Sequence, residues 1–327
     1  MRRFPFFVFL LLLAIPGRLF ASTEDYQYSD YQSQQGGASS SPDDRNSSYD
    51  VTGMDSSDYS DKSMWPNMTV FEMLGPMKHD GGSGHVNMTN WMTAFDFVRL
   101  KKGSWGFYVD GTFRMTWLDG DHDANFELER LFTVGVNMSV SYRLWGSTVL
   151  SGGVTPQWSS DFDSWSSDSF FFGAHVTLSG KLSESFSYTI GGAYAPQIGN
   201  TPWLPFLGFS WKLNPKWRLD LQATKLILMN KVSEGFSWGP FCAVTAGTWT
   251  VRHNKRHERF EWISGVAGVS TETGLGHWGR VHPKLLGDVG FSVWNRARFK
   301  SSNGDDEYAS YRFKPGFYMR VGVQLSF

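Results

Sequence analysis

Over its last seventeen residues, 311–327, the chain alternates almost without error. Tyr311, Phe313, Pro315, Phe317, Met319, Val321, Val323, Leu325 and Phe327 hold one set of positions, and Arg312, Lys314, Gly316, Tyr318, Arg320, Gly322, Gln324 and Ser326 the other. Successive side chains of a strand point to opposite faces, so this spacing predicts a single long strand with an apolar outer face and a charged inner one. Strands of soluble globular proteins usually end within about ten residues. A length of seventeen calls for a wall wet on one side and greasy on the other over a greater depth.

The same period recurs through the chain. Residues 104–118 put Trp105, Phe107, Val109, Gly111, Phe113, Met115 and Trp117 outward, with Asp110, Thr112, Arg114 and Thr116 inward. Trp105 and Trp117 lie twelve residues apart. At about 3.3 Å per residue and a tilt of ~40° that is roughly 30 Å along a membrane normal, enough to bracket the ~25 Å apolar band of a membrane barrel with two aromatic girdles. Further strands are expected over residues 65–73, 90–100, 128–144, 147–158, 170–182, 185–195, 203–213, 217–224, 226–233, 236–251, 260–274 and 284–300. Short links (101–103, Gly146, 183–184, 214–216, 234–235) alternate with longer ones (119–126, 159–168, 196–202, 252–259, 301–309), broken only by a tight link near Lys225 and a medium one at 275–283. The fold class this predicts is all-β, a transmembrane antiparallel up-and-down barrel of about fourteen strands, or twelve if two weak strands merge.

Composition agrees with such a wall. Aromatic residues make up 17% of the chain, including 15 Trp, and charged residues only 19%, because barrel strands disperse their apolar content. The one cysteine, Cys242, allows no intramolecular disulfide and reads as a wall residue. Residues 1–21 have a basic start (Arg2, Arg3), an apolar run and a small residue at Ala21, the layout of a secretory signal peptide. Residues 22–63 carry nine acidic side chains against Arg45 and Lys62, with much Ser, Tyr and Gly. Such a stretch buries too little apolar area to offset its ordering entropy, and it reads as a disordered acidic tether. The barrel is then expected over 64–327.

Two resemblances follow from these residues. The terminal aromatic, Phe327, resembles the C-terminal insertion signal of bacterial outer-membrane barrels, which implies the barrel-assembly machinery as a partner. The stretch TPWLPFLGFSWKLNPKWRLDL (201–221) resembles uncharacterised, porin-like bacterial outer-membrane β-barrel families described only as domains of unknown function. The location implied is the bacterial outer membrane, in contact with its lipid and lipopolysaccharide.

If the alternation holds, the lumen is lined by Asp110, Arg114, Arg143, His175, Lys181, Arg218, Asp220, Asp288, Arg296, Arg298, Arg312 and Arg320, with Glu272 added. Fourteen strands enclose more space than side chains alone fill, so these residues face water or one another. They point either to a pore mildly favouring anions or to a salt-bridge network stiffening the wall. His253 and His257, in the basic run 252–259, lack a helical register for a metal, and no metal or other cofactor is expected. No Gly-x-Ser-x-Gly elbow, phosphate-binding glycine loop or basic aromatic nucleic-acid platform is present. The function expected is a channel or passive transporter for small solutes, not an enzyme. The alternatives are a non-conducting structural or adhesion barrel and, further off, an outer-membrane lipid hydrolase. The tether's tyrosines could contact a periplasmic partner.

Overall fold

The structure, a computed structural model, describes residues 66–80, 84–120, 130–163, 166–195, 203–222, 224–253, 256–276, 281–301 and 306–326. The expected signal segment 1–21, the acidic segment 22–63 and Phe327 lie outside the described residues. In chain order the strands are β1 (Pro66–Lys78), β2 (His85–Lys102), β3 (Trp105–Gly120), β4 (Arg130–Trp145), β5 (Thr148–Asp161), β6 (Phe170–Ser183), β7 (Phe186–Tyr194) and β8 (Trp203–Lys212). They continue with β9 (Trp217–Gln222), β10 (Lys225–Ser233), β11 (Phe236–His253), β12 (Arg256–Gly274), β13 (His282–Ser301), β14 (Glu307–Phe313) and β15 (Phe317–Ser326). From β1 to β14 each strand pairs antiparallel with the next, and β15 pairs with both β13 and β1, which closes the sheet. Both β14 and β15 lie along β13 and are two halves of one wall strand, so the barrel has fourteen strands.

Local chemistry explains the sharp turns at one end. Lys102 pairs with Trp105 and Trp145 with Thr148, leaving two-residue loops whose first members, Gly103 and Gly146, sit at φ +59° and +51°. Primed hairpin turns demand that left-handed conformation, and glycine adopts it without strain. The β11–β12 ladder reaches into the basic run 252–259: Val251 faces Glu258, Arg252 faces His257 and His253 faces Arg256, so its described residues are strand.

A single strand over 311–327 is not what forms. The backbone leaves the ladder at Lys314, Pro315 and Gly316, and β13 carries an extra residue there, since Gly265 faces Trp294 while Val266 faces Ser292. In β1 the register also slips, between Leu74 and Met77. These three neighbouring strands bulge at one level, and each bulge moves the following side chains to the other face. Ser292 satisfies the opened backbone: its Oγ accepts from Gly316 N at 2.9 Å and from Asn295 Nδ2 at 2.9 Å, and Asn295 also donates to Lys314 O at 3.1 Å. Ser292 is fully buried. Ser292→Ala leaves these donors without their acceptor, and the urea midpoint of the refolded barrel is expected to fall by the equivalent of about 1–3 kcal/mol; an unchanged midpoint would show that the bulge does not depend on this hydroxyl.

Below the bulges, Phe291, Val321 and Val323 are exposed on the outer face while Asp288 and Arg320 are buried inside. Above them the order inverts. Ala297, Phe299 and Phe313 are buried inside, and Arg296, Arg298 and Arg312, between or opposite them in register, face outward.

Candidate functional site: the barrel lumen

Two bonded clusters of inner-face side chains cross the middle of the barrel. Asn90 is the hub of the first: its Nδ2 donates to Glu72 Oε1 at 2.8 Å, and its Oδ1 accepts from Thr116 Oγ1 at 2.6 Å and from Arg114 Nη2 at 3.0 Å. Tyr318 OH donates to Glu72 Oε2 at 3.2 Å. Arg114 also reaches across the lumen, its Nη1 donating to Ala246 O of β11 at 2.9 Å while its guanidinium lies 5.4 Å over the Trp249 ring. The second cluster centres on Asp288, whose two oxygens each lie 3.0 Å from Lys225 Nζ, with Arg320 Nη1 at 3.3 Å from Oδ2. Glu72 sits opposite Arg320 in the β1–β15 register, which brings the two clusters side by side.

Nearer the short turns the inner wall is also charged. Arg218 pairs with Asp220 at 2.5 Å and approaches Glu272 at 3.9 Å, and Lys284 reaches Glu272 at 3.4 Å. Asp96 and Asp110 face each other in register, Asp96 held by Arg99 and by Asn67 Nδ2, and Asp110 accepting from Asn137 Nδ2 at 3.3 Å. Charges at such depth persist because each meets an opposite charge or a hydrogen-bond donor.

Above the polar belt the lumen is stoppered. Leu74, Met77, Val86, Met88, Leu118, Leu131, Trp249, Val251, Phe260, Trp262, Phe299 and Phe313 form one buried cluster inside the wall. The Trp249 ring lies on Gly247, where a Cβ would fall 2.1 Å from Cη2, so the glycine makes room for the indole. The wall from β4 to β8 differs. Its inner face carries Asn137, Ser139, Thr155, Gln157, His175, Ser179, Thr189, Gly191, Ala193 and Ser210, mostly small and polar, and Gly191 is exposed with Ala193 half-buried. Thr155, Gln157 and Thr189 are buried and Gly191 is exposed, so this flank is lined by short polar side chains where the other carries a packed apolar stopper.

Asp110, Arg114, His175, Arg218, Asp220, Asp288 and Arg320 all lie on the inner face, and Arg143 and Lys181 occupy inner-face positions exposed at the turn ends of β4 and β6. Arg296, Arg298 and Arg312 do not line the lumen. The bulge at Val293 and Trp294 and the break at 314–316 turn them outward, where Arg296 Nη2 and Arg298 Nε reach Glu307 at 3.0 and 3.9 Å. Trp105 and Trp117 face outward and are exposed. Sequence reasoning missed Glu72, Asn90 and Lys225. Glu72 and Asn90 occupy the alternate positions of strands read mainly from their apolar faces, and Lys225 was read as a turn residue.

A closed antiparallel wall, apolar outside and charged inside, defines the class of transmembrane β-barrels. Within it the chain belongs to the family described as Domain of unknown function (DUF6268), whose model matches residues 99–326. No curated protein matches the chain in sequence. Among solved structures, the COG4313 outer membrane channel from Pseudomonas putida F1 is similar at 10% identity and a TM-score of 0.41, over 84% of this chain and 100% of that one. The toluene transporter TodX of P. putida is similar at 9% identity and 0.36, over 80% and 89%. OccK5 (OpdH) of Pseudomonas aeruginosa is similar at 9% and 0.28, over 80% and 98%.

Proposed function

We propose that the protein is a channel or passive transporter for small solutes in the bacterial outer membrane. The observation that carries this is the one-sided filling of the lumen: a packed apolar stopper against β1–β4 and β11–β14, and beside it an inner wall on β4–β8 of small polar residues with exposed positions. A wall meant only to be rigid has no reason to keep one flank of its interior lined with Gly, Ser and Thr. The outward cations Arg296, Arg298 and Arg312, above the apolar band, suit the phosphates of lipopolysaccharide. The stopper itself favours a second reading, a non-conducting structural or adhesive barrel.

The two are separated in cells of a porin-depleted Gram-negative host producing the full chain, by the entry rates of a small sugar and of an apolar dye that fluoresces only in lipid, 1-N-phenylnaphthylamine. Faster entry of either than in cells without the protein is the expected result. Unchanged entry of both, from a barrel shown to be folded by its heat-modifiable migration, would leave the structural reading. Planar-bilayer conductance with and without residues 22–63 then tells whether that segment plugs the lumen.

A further inference from the structure

The wall is not of even height. The β9–β10 hairpin is short, its ladder ending at Gln222 opposite Lys225, so β8 is paired on that side only from Phe209 to Lys212. On the other flank, β11 is paired with β10 only up to Ala243, with one more bond from Val244 N to Thr224 O at 3.0 Å. Above these points, residues 203–208 of β8 and 245–249 of β11 border a break with no strand between them among the described residues.

β11 does not lean back to β8 across this break. It swings the other way, into the lumen, and meets β5, where Thr250 faces Ser160 in the one parallel contact among the described strands. Side chains hold that edge: Arg114 donates to Ala246 O, Ser160 Oγ to Thr250 O at 3.0 Å, and Arg252 N donates to Asp161 Oδ2 at 2.7 Å. β6, β7 and β8 are left standing in the outer wall.

The break lies at bilayer depth. Trp203 and Trp211, both exposed on the outer face of β8, bracket Pro205, Leu207 and Phe209. Their separation of eight residues is roughly 20 Å along the normal, inside the ~25 Å apolar band. Unpaired strand edges at this depth are tolerated only where they are buried in protein or line a cavity. The β8 side of the rim is apolar, with Leu204 and Phe206 on its inner side and Leu207 exposed on its outer side; on β11, Ala246 is half-buried between the buried Thr245 and Thr248. Behind it lie Ala193 and Gly191, and then the polar wall of β4–β8.

We propose that this break is a lateral port through which a small apolar or amphiphilic molecule dissolved in the membrane enters the lumen, bypassing the stopper. This rests on the channel reading above and names its solute class. Lipid-soluble molecules are concentrated where the port opens, the apolar β8 side of the rim costs them no desolvation, and the Ser, Thr and His lining beyond it accepts a polar head group.

The test uses the same cells and blocks the port after folding. Cys242 is replaced by serine, Phe206 by cysteine, and the thiol at the inner rim is labelled with a bulky maleimide; Val176→Cys, on the lipid face of β6, is the labelling control. Labelling at Phe206→Cys is expected to slow entry of 1-N-phenylnaphthylamine roughly tenfold, as occluding a constriction does, while labelling at Val176→Cys changes nothing. Ala246→Trp, at the opposite rim, is expected to slow it likewise. Dye entry that proceeds undiminished through both blocked forms overturns the port and leaves the channel reading standing, as does entry of sugar alone. Disulfide-linked dimers of Leu207→Cys, on the outer side of β8, under mild oxidation also overturn it, because a second copy would then cover the β8 edge. No entry of any solute defeats the channel reading itself.

Discussion

Arg114→Met is expected to lower the urea midpoint of the refolded barrel by the equivalent of about 3 kcal/mol and to produce larger and noisier ion-conducting steps than the parent in planar bilayers. Three groups lose their partner at once. Asn90 Oδ1 keeps only Thr116, Ala246 O becomes an unpaired carbonyl on a strand edge that has left its neighbour, and the Trp249 ring loses its cation. A buried acceptor left without a donor costs about 1–3 kcal/mol, and a guanidinium in such a place does more than a generic hydrogen bond. Arg114 is also one of the side chains holding upper β11 inward against β3 and β5, so its loss frees the element that carries Trp249 into the stopper. Arg114→Lys is expected to rescue little, because an ammonium on a flexible stem cannot aim separate donors at Asn90 and Ala246. A midpoint and conductance both equal to those of the parent would mean that β11 is held by its β5 contacts alone.

The barrel was legible because lipid imposes a period of two: all fourteen wall strands fall where alternation places them, most within a few residues. The facing of the upper wall was not. Phe317, Met319 and Val321 point outward and Phe313 inward, yet all are odd-numbered. The same holds for Val289, Phe291 and Val293 outward against Ala297 and Phe299 inward, and for Phe71 outward against Met77 inward. Above the bulges the apolar side is the inside, since the outside there meets water and the inside is the stopper. Inversion of the environment and the extra backbone residue cancel, so the written alternation runs on undisturbed while the faces exchange. Only Val293 and Trp294, two large apolar residues in succession, and Pro315 before Gly316 hint at the shift. The ion clusters were half legible for a related reason. Period-two reading finds Asp288 and Arg320 on the inner face, but Lys225 reaches Asp288 from a strand sixty-three residues earlier, a distance that no local pattern encodes.

Asp288→Ala is expected to be the most damaging charge removal in the lumen, and more so than Lys225→Met. Asp288 is the counter-ion of two cations, and all three groups are largely out of contact with water. Truncating it removes the carboxylate that Lys225 and Arg320 both contact and leaves the two cations facing each other. Removing one member of a buried pair typically costs about 3–5 kcal/mol, because an uncompensated charge remains, whereas exchanging both members for apolar groups can be close to neutral. Lys225→Met therefore stands in a different position: the Asp288–Arg320 pair survives, and the methionine replaces a stem that already packs with its ammonium 4.7 Å from the Phe241 ring centroid. The expected order of urea midpoints is parent, then Lys225→Met, then Asp288→Ala. The double variant is expected to lie above Asp288→Ala, with a coupling of about 1–3 kcal/mol between the sites. Equal midpoints for the two single variants, or a double variant at the simple sum of both, would show that Asp288 and Lys225 are solvated independently and that the belt is no obstacle to water crossing the barrel. The loss of one negative charge from the lumen should also turn any conductance of Asp288→Ala toward anions, so reversal potentials in a salt gradient give a second reading that does not depend on stability.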